Sequence, residues 1–220
     1  MSCLSDIFHE VDEEVRRERL KQLWERYSLL IIAVAVLVVA AIGVWQGYEY
    51  WMAKKAAAAG AQFEAAVTLS EQGKHSEAEA AFAKAAAAAP GGYRILSRFR
   101  VAAETAQIKP ADAVKDYDVL AADGSLGPLW QDLASVRAGM LLVDSAPLAE
   151  MKKRLGPLTG PDRIYRHSAR ELLALSAWRN NDTAAAKHYL DMIANDAETP
   201  PGTRTRADVL SALIAANGKS

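Results

Sequence analysis

The sequence EQGKHSEAEAAF, from Glu71 to Phe82, is the first copy of a motif that recurs along the chain. Looser copies are AQIKPADAVKDY, which ends at Tyr117, and WRNNDTAAAKHY, which ends at Tyr189. The final aromatics lie 35 residues apart and then 72, or two units of 36. Each aromatic follows an alanine by four residues, at Ala78, Ala113 and Ala185. The spacing predicts a repeated supersecondary unit of about 35 residues.

Within the first copy, the residue types are typical of two antiparallel helices. Gly73 marks the turn, Ala78 and Ala85 are small enough for helices to cross closely, and Phe82 fills the gap to the next unit. Pro90 follows the second helix. One pair cannot bury its apolar face alone, so successive pairs must stack. A period near 34 is that of tetratricopeptide-like repeats, and we expect an all-α stack.

Prolines punctuate the rest of the chain at positions that begin or follow helices. They divide it into about four helix pairs and a C-terminal capping helix. The second helix of the third pair is short and lacks the alanine–aromatic pattern. The predicted helices are 54–72 with 75–89, 93–107 with 110–122, 128–143 with 147–156, 163–180 with 183–196, and the cap at 202–217.

Upstream of the repeats, seventeen residues from Leu29 to Trp45, LLIIAVAVLVVAAIGVW, carry no charge and no polar side chain. Extended to 27–48, the segment has the roughly 20 residues that span a bilayer core of about 30 Å. Aromatic residues flank both ends, as at membrane interfaces. We therefore predict a cytoplasmic head at 1–28, a transmembrane anchor at 29–48 and a translocated helical-repeat domain at 49–220.

Two alternatives compete with an anchor. A buried core helix is rarely apolar on every side over this length. A cleaved signal peptide has a shorter apolar region and a small-residue cleavage site directly after it; here bulky aromatics follow instead. Basic residues are more frequent before the span than after it, which predicts a cytoplasmic N-terminus and a periplasmic C-terminal domain.

The head, from Ser5 to Tyr27, is predicted to form one helix running into the membrane. Acidic residues crowd its first turns, where the helix dipole favours them. One interpretation is a solvated helix that only orients the anchor. The other is docking, with an apolar side for a partner and arginines for anionic membrane lipids; the residues are Phe8, Val11 and Val15, and Arg16, Arg17 and Arg19.

Composition argues against several function classes. The formal net charge is −1, without the basic stripe of a nucleic-acid-binding protein. A single cysteine rules out an intrachain disulfide framework and a cysteine-rich zinc site. The four histidines have no metal-ligand spacing, and no nucleotide, protease or hydrolase motif is present. We expect no enzymatic activity, no cofactor, no metal and no small-molecule substrate.

The function class that these observations leave is protein–protein binding. Stacked helix pairs form a groove lined by the first helix of each pair. Aromatic residues and arginines on those helices are the types enriched at binding hot spots, although Trp130 and Trp178 have an alternative role in packing between pairs. The candidate lining residues are Tyr93, Arg94, Arg98, Trp130, Arg137, Tyr165, Arg166, Arg170 and Trp178.

Gly43 and Gly47 form a GxxxG pair in the anchor. Such a pair permits close approach of another membrane helix. The pair is thus a candidate contact for self-association or for another subunit's helix.

Both terminal segments carry a family resemblance. The segment NDAETPPGTRTRADVLSALIAANG (195–218), with the anchor and the alanine-rich first repeat, resembles the YfgM-like proteins. The opening SDIFHEVDEEVRRERLKQLWERY (5–27) resembles their alphaproteobacterial branch. The resemblance implies an inner-membrane protein ancillary to the SecYEG translocon. It also implies a periplasmic tetratricopeptide-like domain, association with the chaperone PpiD and a role in handing on exported proteins.

Other functions remain open beside this one. An envelope scaffold in cell division or outer-membrane assembly could use the same groove for a fixed partner. An enzyme with an unrecognised site is a third hypothesis, which no cluster of residues in the sequence supports.

Overall fold

The computed structural model describes the backbone of residues 3–217 and the side chains of residues 21 and 24–216. This part of the chain is all-α, with nine α-helices and no strand. The chain divides into two compact units, Met1–Lys55 and Ala56–Ser220. Helix α1 covers Cys3–Glu71 and therefore contributes to both units. It has no break after the apolar run, as the lack of helix breakers between residues 48 and 59 predicts.

The first unit contains the one described helix that is long and apolar enough to cross a membrane. Every side chain from Leu29 to Trp45 is exposed in the structure. An apolar surface of this extent is suited to lipid rather than to water. At the end of the run the rings of Tyr48 and Trp51 lie 6.4 Å apart, and Lys55 Nζ lies 3.7 Å from the Trp51 ring centroid. The side chains expected to dock the head, Phe8, Val11, Val15, Arg16, Arg17 and Arg19, lie outside the described residues.

The second unit is a stack of helix pairs, which confirms the predicted architecture. The last turns of α1 pair with α2, and the remaining helices follow in order. The short second helix of the third pair, α6, continues into a 3₁₀ turn at Gly156–Leu158. The bounds are α2 His75–Ala88, α3 Gly91–Ile108, α4 Pro110–Ala122, α5 Pro128–Leu142, α6 Leu148–Leu155, α7 Arg166–Arg179, α8 Thr183–Ala194 and α9 Pro201–Asn217.

The helices begin and end where the local sequence allows it. Pro110 and Pro128 occupy the first turns of α4 and α5, where a missing N–H costs nothing. The Asp182 carboxylate accepts a hydrogen bond from the backbone N–H of Ala185 (2.9 Å) and caps α8. Helix α7 begins three residues later than the predicted position 163, because residues 161–165 form turns after Gly160.

The apolar core is distributed in series along the stack. The first cluster centres on Phe82, the second on Tyr117, and two further clusters surround Leu173 and Ile193. Ala78 and Ala113 are fully buried, as the repeat alignment predicts. The third copy of the motif, in the fourth helix pair, is shifted by one residue, since Ala186 and Leu190 are buried there while Ala185 and Tyr189 are only partly buried.

Polar contacts join neighbouring pairs at the repeat spacing. Ser70 donates to Glu104, 34 residues away (2.7 Å), and Arg179 Nε donates to the Val143 carbonyl, 36 residues away (3.0 Å). Arginine–carboxylate pairs span 36 and 35 residues, Arg154 with Asp118 and Arg206 with Glu171. These links run between equivalent positions of successive units, which is how a repeat array holds its register.

Candidate partner-binding face

The first helices of the pairs form a continuous layer. The Phe63 ring of α1 lies 5.9 Å from the Tyr93 ring of α3, and Phe99 of α3 lies 5.5 Å from Trp130 of α5. The Arg179 contact joins α7 to the end of α5, and Arg206 joins α9 to α7. Because equivalent helices lie side by side, their outward side chains combine into one extended face, the surface that repeat proteins use for binding.

This surface, the first-helix face, carries many apolar side chains that nothing described covers. On α5, Leu129, Arg137 and Met140 are exposed and Leu133 is partly exposed, and their spacing of three or four residues places them on one side of the helix. Large apolar side chains are exposed on α3, α5, α7 and α9. The first-helix face consists of Tyr93, Leu96, Leu129, Leu133, Arg137, Met140, Leu175, Trp178, Val209 and Leu213.

The aromatic candidates differ in how far they reach this face. Tyr93 and Trp178 are 38% and 37% exposed, so both offer ring surface to a partner. Trp130 is half-buried against Phe99 and both packs and borders the face. Tyr165 packs against the third core cluster and is only partly exposed.

Among the arginine candidates, Arg137 alone is exposed and has no hydrogen bond or ion pair to the described residues. Arg94 Nε donates to the Ala89 carbonyl (3.2 Å) and so fixes the turn before α3. Arg98 donates to Asp123 (2.6 Å). The pKa of Asp123 falls to about 2, because the Ser125 hydroxyl, the Arg98 guanidinium and the Ser125 backbone N–H all donate to its carboxylate.

Arg170 is placed differently from the sequence expectation. It is 5% exposed, and its guanidinium donates to the carbonyls of Thr159 and Met192 and to Asp196 Oδ2 (2.7 Å). It therefore joins the loop before α7 to the end of α8, where it and Arg166 line a pocket of about 410 Å³. Arg166 donates to the same carboxylate oxygen (2.8 Å) and to Glu198.

The shared carboxylate responds to these two donors. Hydrogen bonds from Arg166 and then Arg170 hold the pKa of Asp196 well below its usual range. Burial lowers the pKa of the neighbouring His167, and the positive charge of Arg166 adds to this effect. Both arginines and both acids of the cluster are thus paired, and the cluster holds the start of α7 to the end of α8.

A second buried polar cluster was not predicted from the sequence. Glu104 is 3% exposed and accepts hydrogen bonds from Ser70 Oγ (2.7 Å) and His75 Nδ1 (2.8 Å), with Arg100 at 3.2 Å. Its donors come from the end of α1, the start of α2 and α3 itself. A buried carboxylate needs such partners, so the cluster ties the first pair to the second. The sequence gives little signal for it, because the buried residues of α3 include Ser97 and Thr105 as well as Glu104.

Trp178 borders a pocket between the C-terminal ends of α5 and α7. The pocket has a volume of about 460 Å³. Val143, Leu175 and the Trp178 ring give it apolar walls, while Asp144 and Arg179 supply charge at its edge. Asn181, with φ of 60°, forms the turn beside it. Its volume is sufficient for one large side chain of a partner.

The residues that the sequence analysis missed are aliphatic. Leu96 on α3, Met140 on α5 and Val209 on the capping helix α9 are 41%, 51% and 55% exposed. The hot-spot residue types, aromatics and arginine, do not include these aliphatic side chains. Their signal is a second apolar position on the helix surface, in addition to the positions that form the core.

The anchor glycines are open to a neighbour. A methyl group added at Gly43 or Gly47 would meet no atom within 4 Å in this structure. Within the described residues no group of three His, Cys, Asp or Glu side chains is arranged to hold a metal ion.

Comparison with known proteins identifies the architecture. A family model described as a tetratricopeptide repeat-like domain matches residues 21–160, more than half of the chain. No curated protein and no solved structure gives a significant match.

Proposed function

The chain belongs to the family of tetratricopeptide repeat-like domains and is a protein–protein interaction module with one candidate membrane helix; we propose that it is a non-catalytic inner-membrane protein ancillary to the SecYEG translocon. In this proposal the N-terminus is cytoplasmic, the span is 29–48 and the repeat domain, 49–220, is periplasmic. The domain engages a PpiD-like chaperone and helps exported proteins to move on.

The observation that carries the proposal is the exposed apolar first-helix face in a chain that also has a membrane-type helix. Leu96, Met140 and Val209 are exposed on three different helices of this face. Exposed apolar surface beyond scattered single residues marks a binding surface. A face that offers aliphatic and aromatic contacts suits the apolar side chains that an unfolded exported chain or a chaperone displays.

The orientation rests on the basic residues that precede the span, and the translocon partners rest on the resemblance of the two terminal segments to YfgM-like proteins. The GxxxG pair, Gly43 and Gly47, supplies a surface for a translocon helix within the membrane. The Lys55–Trp51 contact places a basic and an aromatic group together at the outer end of the span, as at a lipid headgroup interface.

Affinity purification from mildly solubilised membranes tests the proposal. We expect SecY and a membrane-anchored periplasmic chaperone to be recovered with the full-length chain. The matched variant Leu96→Asp, Met140→Asp should lose the chaperone while the anchor still recovers SecY. Recovery of neither partner by the unmodified chain would contradict the proposal.

The second candidate is a fixed envelope scaffold in division or outer-membrane assembly, since the same face suits a single constant partner. Export traffic separates the two functions. A handover factor should crosslink many exported chains weakly, and the adducts should disappear when secretion is blocked. A scaffold should crosslink one or two proteins strongly under both conditions.

A further inference from the structure

Two charged groups, one on the outer side of α5 and one in the turn that follows it, lie on either side of an apolar side chain. Arg137 and Asp144 are both exposed, and neither has an ion pair or side-chain hydrogen bond within the described residues. They are seven residues apart, and the Ala146 N–H donates to the Leu142 carbonyl (2.8 Å), so the turn after α5 continues its helical path. The separation is therefore roughly 10 Å. Met140 lies between them and is 51% exposed. Unpaired opposite charges beside apolar surface are the composition of a recognition site, in which charge sets specificity.

The pocket at Trp178 adjoins the Asp144 end of this strip. Leu175 and the indole of Trp178 provide its apolar walls, and Asp144 lies on its edge. Arg179 also borders it, but its guanidinium donates to the carbonyls of Val143 and Ala146 at the end of α5. Helix-end carbonyls carry partial negative charge, which offsets that cation. Arg179 thus directs its donors to the backbone, and the Asp144 carboxylate has no hydrogen bond or ion pair within the described residues.

From this geometry we propose that Arg137, Met140, Asp144 and the Trp178 pocket bind an extended polypeptide segment with an acidic and a basic residue on either side of an apolar anchor. The acid pairs with Arg137, the anchor enters the pocket, and the base pairs with Asp144. The inference rests on the proposed interaction function and specifies its ligand.

An extended segment fits this site better than a helix. A helical ligand presents apolar anchors at i, i+3 or i+4 and i+7, which need a series of pockets. This site offers one pocket with opposite charges about 10 Å apart. An extended chain rises about 3.3 Å per residue, so an acid and a base three positions apart reach both charges.

The test measures binding of labelled peptides to the full-length chain in detergent by fluorescence anisotropy. Four decapeptides share a Gly/Ser frame, and their central residues are Glu-Leu-Phe-Lys, Glu-Leu-Phe-Glu, Lys-Leu-Phe-Lys or Gln-Leu-Phe-Gln. The unmodified chain should prefer the mixed-charge peptide by about two- to fivefold at low salt, since exposed pairs contribute up to about 1 kcal/mol each. The preference should shrink at high salt.

Single charge reversals should change the preference in a defined way. Asp144→Lys leaves two positive groups, so Glu-Leu-Phe-Glu should become the best ligand. Arg137→Glu leaves two negative groups, so Lys-Leu-Phe-Lys should become the best. Asp208→Lys, an exposed position on α9, is the matched control and should keep the original order. Trp178→Ala should weaken all four peptides about tenfold or more, whereas Val119→Ala, at an exposed residue of α4 outside the first-helix face, should not.

Equal affinities for the four peptides, an unchanged order in both reversal variants, or no binding at millimolar peptide would each overturn the proposed site. Translocon or chaperone recovery by the Arg137→Glu, Asp144→Lys chain is measured in parallel. If that recovery persists while the peptide order is flat, the interaction function stands and this site is wrong. If the unmodified chain recovers no partner, the proposed function fails on its own test.

Discussion

Phe82 fills the interior of the first helix pair. It is fully buried, its ring meets Phe63 edge-on with centroids 5.2 Å apart, and Arg100 lies over its other side at 5.0 Å. Phe82→Ala should lower the free energy of unfolding by about 3–5 kcal/mol. Urea unfolding of the full-length chain followed by circular dichroism measures the change. The control Val119→Ala, at a residue that is 64% exposed, should change it by less than about 0.5 kcal/mol.

Arg137 and Arg170 differ in burial, and substitution of each should therefore have a different effect. Arg137 is exposed, whereas Arg170 is buried. Arg170→Met removes a buried guanidinium, leaves two carbonyls without that donor and leaves Asp196 with one guanidinium donor instead of two, so stability should fall by about 3 kcal/mol. Arg137→Met should leave stability within about 0.5 kcal/mol of the original and weaken peptide binding. Equal losses of stability in the two variants would contradict the placement of these side chains.

His167 makes the last helix pair sensitive to moderate acid. Its pKa lies below the ordinary value of about 6.5 because burial and the nearby Arg166 disfavour the charged ring. The unfolded chain therefore binds the proton more readily, and stability should decline as the pH falls below about 6.5. His167→Gln should flatten the unfolding midpoint between about pH 7 and pH 5. An unchanged slope would exclude His167 as its source.

Asp196, beside it, has a depressed carboxylate pKa, so its stabilisation is present above the unfolded value of about 3.9 and is lost as the pH falls further. The two groups thus act in different pH ranges, which allows the His167 effect to be measured separately.

At the scale of elements, the turn between α1 and α2 depends on one backbone conformation. Gly73 has φ of 73°, a region that residues with a Cβ rarely adopt, and its N–H donates to the Ser70 carbonyl (2.9 Å). Gly73→Ala should destabilise the first pair by about 1 kcal/mol. Gly92→Ala is the matched control, because Gly92 lies in α3 with ordinary φ and open space around it. A similar loss in both variants would show that the turn conformation is not the cause.

The helices were predictable because their ends are encoded locally. Prolines at first turns and glycine at the α1–α2 turn place most boundaries within a few residues, and small alanines with an aromatic identify the crossing points of the first two pairs. In the third copy of the motif, the predicted crossing position is wrong by one residue, because TAAAKHY contains three adjacent alanines and each is small enough for a helix crossing. Tertiary packing selects Ala186 over Ala185.

Which side of each first helix faces outward was harder to predict from the sequence. A helix in a stack is buried on two sides, so an arginine such as Arg170 can follow helical spacing and still point into an interface. The acids that bind these arginines, Asp196 and Asp123, are 26 and 25 residues away from Arg170 and Arg98. No local pattern relates such distant residues, and only the stack brings them together.

For the whole molecule, the proposed function combines a membrane anchor with a binding face. A repeat domain tethered to a membrane meets membrane partners at high effective concentration, so weak contacts on the first-helix face suffice for function. This agrees with a face whose exposed apolar groups are spread over several helices rather than concentrated in one deep site.

Site-specific photocrosslinking in living cells tests the central claim, that the first-helix face binds partners beside the translocon. Probes replace Leu96 and Met140 on that face, Gly43 in the anchor, and Ala87 on the exposed side of α2 as the control. We predict adducts of Leu96 and Met140 with a PpiD-like chaperone or exported chains, adducts of Gly43 with SecY or SecG, and none at Ala87. Equal adducts from Ala87, or adducts only with division or outer-membrane proteins, would contradict the account.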